Sequence, residues 1–138
     1  MHPVLKNILA VIIGWLAGSV INMSLIKLGH NFLPIPGVDP NDMIALADVM
    51  PTLEPKYFIF PFLAHAIGTL VGACIAALIA HNNKIIMALI VGVLFLFGGI
   101  AVNYMLPGPT WFAVADILFA YIPMAWLGNK LAVKFAKK

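Results

Sequence analysis

Four long apolar stretches make up most of this chain and restrict the folds that are open to it. They cover residues 3–28, 57–81, 85–104 and 110–134. Each is close to the ~20 residues that a helix needs to cross a ~30 Å hydrocarbon layer. Of the 138 residues, 63% are hydrophobic and 9% are charged, whereas an average soluble chain carries about 25% charged residues. We therefore predict an all-α integral membrane protein, a single membrane domain built as a four-transmembrane-helix bundle.

Residues 29–56, between the first two spans, form the one polar segment of the chain. Four of the five acidic residues lie there, and prolines make its beginning irregular. Asp39 is well placed to cap a short helix whose first residue is Pro40. This pattern predicts a short extracytoplasmic helix that is either an interfacial helix or a lid lying on the bundle. Its apolar side consists of Met43, Ile44, Leu46, Ala47 and Met50.

The distribution of lysine predicts the orientation of the chain. All eight basic residues are Lys, and two of them, Lys27 and Lys56, share one end of the predicted bundle with the four acids. The other end collects Lys6, Lys84, Lys130, Lys134, Lys137 and Lys138. By the positive-inside rule, both termini are cytoplasmic in a multi-pass protein of the cell inner (plasma) membrane. The same rule accounts for the net charge of +3, so no nucleic-acid partner is expected.

Small residues recur at every fourth position in the first two spans. Such ridges let two helix backbones approach closely within a lipid bilayer. The second span carries Ala64, Gly68, Gly72, Ala76 and Ala80, and the first carries Ala10, Gly14 and Gly18. We expect the ridge of the second span to be used inside the bundle. The ridge of the first span, at Gly14 and Gly18, is then the expected contact between subunits of a homo-oligomer.

Polar residues inside the spans gather at one level. With a rise of ~1.5 Å per residue, Asp116 and His65 fall at similar depths in the outer half of the bundle. Ionisable groups in lipid cost several kcal/mol, so they face protein or a water-filled cavity. We predict a polar pocket that opens to the outside. Its predicted ligand-binding residues are Asp116, His65, Asn22, Asn103, Thr69, Lys27 and Glu54.

Three functions fit such a pocket. The leading hypothesis is a protein that binds or transports a small molecule or ion, with Asp116 as charge partner and His65 as a protonation-sensitive contact. Transport would require a homo-oligomer, because four helices enclose little volume. One alternative is an accessory or structural subunit of a larger membrane complex, in which the polar cluster only fixes helix register. The other is an intramembrane enzyme acting on a lipid or isoprenoid, with His65 and Asp116 as a base and its orienting group. The sequence favours a non-enzymatic role, and no catalytic residue is assigned.

No pattern in the chain indicates a metal or a cofactor. The HxxxH and HxxE spacings of metal sites are missing, and the histidines do not lie at matching depths for haem. Cys74 is the single cysteine, so a CxxC redox pair is excluded. We expect neither a metal nor a cofactor.

In architecture the chain resembles the small multidrug-resistance transporters, which also consist of four short helices and work as dimers. The hallmark of that family is a glutamate in the middle of the first helix. Here the first span has no acidic residue, and the buried acid, Asp116, lies in the fourth span. The resemblance therefore implies the architecture and not the mechanism.

Overall fold

Every span that the sequence predicts is helical in the computed structural model, which describes residues 1–138. Four helical units are long and apolar enough to cross a membrane: Pro3–Phe32, Pro55–Ile79, Lys84–Met105 and Thr110–Ala136. Short 3-10 turns cover Met50–Thr52 and Pro55–Phe58. The α-helices are α1 (Pro3–Phe32), α2 (Met43–Val49), α3 (Ile59–Ile79), α4 (Lys84–Met105), α5 (Thr110–Phe119) and α6 (Ile122–Ala136).

Local sequence sets where the first long helices begin and end. At the start of α1, Nδ1 of His2 accepts a hydrogen bond of 3.3 Å from the Val4 N–H. Pro3 follows in the first turn, where its missing N–H costs nothing. α1 continues one turn beyond the predicted end at residue 28. Between α3 and α4 the chain turns through Asn83, whose φ of 48° is left-handed, a conformation that asparagine tolerates better than most residues.

The short helix between the first two spans is present, but its predicted cap is wrong. The side chain of Asp39 accepts from the Asn41 N–H at 2.8 Å, which closes a turn ahead of the helix. Asp42 is the actual cap, because its Oδ1 accepts from the N–H groups of Ile44 and Ala45 at 3.1 and 3.0 Å. The helix therefore begins at Met43, and it buries Leu46 against the rest of the protein. That α2 lies in a membrane interface remains a prediction.

The last span is two helices rather than one kinked helix. α5 ends at Phe119 and α6 begins at Ile122. Pro123 has no N–H to donate to the carbonyl of Phe119, so the helical hydrogen-bond ladder is interrupted there. The sequence predicts a kink caused by this proline, and the structure has a break at residues 120–121.

α3 lies at the centre of the bundle and contacts α1, α4, α5 and α6. It approaches α1 through glycines on both helices. A Cβ added to Gly14 would collide with the carbonyl oxygen of Gly72, and one added to Gly18 would lie 2.5 Å from the carbonyl oxygen of Gly68. The prediction that Gly14 and Gly18 form a contact between subunits is therefore wrong, because α3 of the same chain already occupies that face.

Candidate functional site

Asp116 is the one acidic residue within the four long helical units, and it is completely buried. Its carboxylate contacts three polar side chains. Nδ1 of His65 lies 2.7 Å from Oδ1. The hydroxyl of Tyr121 and Nδ2 of Asn103 lie 2.8 and 3.1 Å from Oδ2. Side chains from α3, α4 and the α5–α6 break thus converge on this one carboxylate.

Two donors share one oxygen of the Asp116 carboxylate. A phenol and an amide nitrogen both donate to Oδ2, as expected around an ionised carboxylate, which can only accept. With the carboxylate ionised and the imidazole neutral, the hydrogen between Asp116 and His65 is on Nδ1. Nε2 of His65 is left as a hydrogen-bond acceptor. Nε2 forms no hydrogen bond within the protein. It is also not one of the buried polar atoms that lack a partner, so it remains accessible.

Asn103 forms hydrogen bonds through its amide nitrogen and none through its amide oxygen. Its amide nitrogen donates to the carbonyl oxygen of Gly99 at 2.9 Å and to Asp116 at 3.1 Å. Both amide hydrogens are thereby used, and Oδ1 of Asn103 remains as a free acceptor. This side chain thus supports the carboxylate with its nitrogen and offers its oxygen to the space beyond.

A cavity of about 300 Å³ lies beside this cluster, and both His65 and Asn103 line it. The end of α1, the segment that contains α2, the start of α3, the end of α4 and α5 form its walls. Most of the lining is hydrophobic, which corrects the prediction of a polar pocket. The apolar walls include Met23, Ile26, Leu46, Phe60 and Phe112.

The predicted ligand-binding residues divide into two groups. Asp116, His65 and Asn103 form the hydrogen-bonded cluster, and Thr69 donates to the backbone carbonyl oxygen of His65 at 2.7 Å. Lys27 lines the cavity at an exposed position.

The other two lie elsewhere. Glu54 is 3.6 Å from Nζ of Lys56 on the exposed surface and does not line the cavity. Asn22 lies against Gly68 at the α1–α3 contact, away from the cavity, and its Oδ1 is buried without a hydrogen-bond partner.

Tyr121 also belongs to the cluster, and no pattern in the sequence predicts a role for it. Only 1% of its surface is exposed, and its hydroxyl occupies the space that a Cβ on Gly99 would fill. The signal for it was Pro123, two residues further along the chain. A break at this proline turns the side chain of residue 121 back toward residue 116.

The chain matches no protein-family model, no curated protein and no solved structure.

Proposed function

We propose that this is a multi-pass membrane protein that binds a small molecule in the cavity beside His65, as a binding or transport protein. One observation carries the proposal. A buried carboxylate holds the imidazole of His65 through Nδ1 at 2.7 Å, while the same side chain lines a cavity of about 300 Å³. Ligand sites are mostly apolar hollows with a few convergent polar groups, and this volume is at the lower end of their range.

The free acceptors at the cavity wall favour this role over a purely structural one. A cluster that only fixed helix register would satisfy all of its polar atoms against one another. Here the cluster leaves two acceptors open, Nε2 of His65 and Oδ1 of Asn103. Neither atom is among the buried polar atoms that lack a partner, so each is open to a donor from the cavity. A bound molecule can supply that donor.

The direction of entry follows from the proposed orientation. The cavity is bounded by the segment between α1 and α3, which carries four of the five acids. The six lysines at the other end of the bundle support cytoplasmic termini in the inner membrane, so the ligand would enter from outside. Transport would require a homo-oligomer, and its contacts would use a face other than Gly14 and Gly18.

A matched pair of valine variants tests the proposal. Val102 lines the cavity, whereas Val93 lies on the same helix, away from the cavity. Both side chains are partly exposed, so phenylalanine adds similar bulk at either position, but only at residue 102 is that bulk at the cavity wall. Native mass spectrometry of protein purified from membranes should detect a bound small molecule on the wild type and on Val93→Phe. We expect Val102→Phe to lose it.

Two results would contradict the proposal. The first is retention of the same molecule by Val102→Phe. The second is a wild-type protein that carries no small molecule and is stable only in complex with another membrane protein. That second result would support the accessory-subunit alternative.

A further inference from the structure

We propose that the ligand of this cavity is an uncharged lipophilic molecule whose polar group donates a hydrogen bond, such as an alcohol or a phenol. The inference rests on the proposed function and adds the chemical class of the ligand. Ethers, ketones and anions, whose polar groups only accept, are excluded from the class.

His65 and Asn103 both present hydrogen-bond acceptors to the cavity when the imidazole is neutral and donates to Asp116. Nδ1 of a neutral His65 donates to Asp116 at 2.7 Å, so its Nε2 carries no hydrogen and is free to accept. Both amide hydrogens of Asn103 are donated, and its Oδ1 is free to accept. The hydroxyl of Tyr121 donates to Asp116 and offers no hydrogen to the cavity. A ligand that pairs with Nε2 of His65 and Oδ1 of Asn103 must therefore supply the donor itself.

The surroundings specify the rest of the ligand. Hydrophobic side chains form most of the walls, so the body of the molecule is apolar. The carboxylate of Asp116 lies directly behind His65 and Asn103 and repels an anion from the buried end. Lys27 and His30 line the cavity as well, and the ammonium group of Lys27 disfavours a cationic ligand. A neutral hydroxyl on an apolar body satisfies all of these conditions.

Asp116→Asn should reverse the hydrogen-bonding character of the cavity. Asn103 and Tyr121 both donate toward Oδ2, so the oxygen of the new amide would face them. The amide nitrogen would then face His65 and donate to its Nδ1. That bond moves the imidazole hydrogen to Nε2, which turns an acceptor into a donor at the cavity wall.

Two probes with the same apolar body and different polar groups test the inference. 4-Butylphenol can donate a hydrogen bond, and 4-butylanisole can only accept one. The protein is labelled with ¹⁵N-histidine and placed in lipid nanodiscs, where NMR reports the tautomer and the ligand response of His65. A His65→Gln sample assigns the signals. Each probe is titrated as a mole ratio to lipid, so that unequal partitioning into the bilayer is accounted for.

In the wild type we expect the phenol to shift the Nε2 signal at a mole ratio ~10-fold lower than the anisole, because one hydrogen bond to a buried acceptor is gained. In Asp116→Asn we expect a protonated Nε2 and the opposite preference. The wild-type comparison requires no variant, so it decides the inference even if Asp116→Asn does not fold.

Failure of the inference and failure of the proposed function give different results. Equal responses to the two probes, or no response to either, would overturn the ligand class and leave the mass-spectrometric test of the proposed function intact. If Val102→Phe responds to the phenol as the wild type does, the probe binds outside the cavity and both proposals are wrong.

Discussion

Tyr121 donates its hydroxyl hydrogen to Oδ2 of Asp116 at 2.8 Å, across the break between α5 and α6. On an unbroken helix, side chains five residues apart point ~140° away from each other. The break therefore brings these two residues together, and Pro123 accounts for the break. The break at Pro123 thus brings Tyr121 into the group of three side chains that contact the buried carboxylate.

Tyr121→Phe should lower the free energy of unfolding by about 0.5–2 kcal/mol, because it removes the buried hydrogen bond to Asp116 and the 3.0 Å contact with Nδ1 of His65 and keeps the aromatic ring. Equilibrium unfolding in mixed detergent micelles measures the change. Tyr104→Phe is the matched control, since 87% of that side chain is exposed and no loss is expected. Equal unfolding curves for the two variants would show that the Tyr121 hydroxyl contributes nothing to stability.

The helical spans and the depth of their polar residues could be predicted from the sequence. Apolar runs of the right length identify the spans, because the bilayer sets a minimum length for a helix that crosses it. The fixed rise of a helix then put Asp116 and His65 at one level. In the structure their side chains are 2.7 Å apart.

Which way a side chain faces, and which helix it meets, could not be predicted. Asn22 lies in the C-terminal half of α1, packs against Gly68 of α3 and does not line the cavity. A ridge of small residues indicates close packing but does not specify which helix packs against it. The sequence therefore predicts a subunit contact at Gly14, where the structure has α3 of the same chain. Tyr121 was missed because helical periodicity does not hold across a break.

Gly99→Ala should displace Tyr121 from the cluster. The new methyl group would collide with the tyrosine hydroxyl, and overpacking of this kind costs about 1–3 kcal/mol. Gly98→Ala is a close control, because a Cβ there meets nothing within 4 Å. We expect a lower thermal unfolding temperature for Gly99→Ala and an unchanged or slightly higher one for Gly98→Ala. If the two variants unfold at the same temperature, the close fit of Tyr121 against α4 is wrong.

Gly14→Ala should weaken the contact between α1 and α3 within one chain. Its Cβ would collide with the carbonyl oxygen of Gly72 and lie 2.8 Å from Cβ of Ala76. Because backbone atoms cannot rotate away, we expect a loss of about 1–3 kcal/mol in the free energy of unfolding. Gly98→Ala again serves as the control.

Light scattering of the folded Gly14→Ala protein distinguishes this role from a contact between subunits. The oligomeric state should stay that of the wild type. If the variant unfolds like the wild type but forms a smaller oligomer, Gly14 contributes to a contact between subunits, and its proposed role within one chain is wrong.

The proposed orientation predicts which surface cysteines an impermeant reagent can reach. Asn41 is exposed in the segment between α1 and α3, and His81 is exposed in the turn between α3 and α4. Each is changed to cysteine in a Cys74→Ala background, because Cys74 is the one native thiol. Six of the eight lysines lie at the end of the bundle that carries His81, so that end should be cytoplasmic. A membrane-impermeant maleimide should label Asn41→Cys in intact cells and His81→Cys only after permeabilisation. The reverse pattern would place the cavity on the cytoplasmic side, and the proposed ligand would then enter from within the cell.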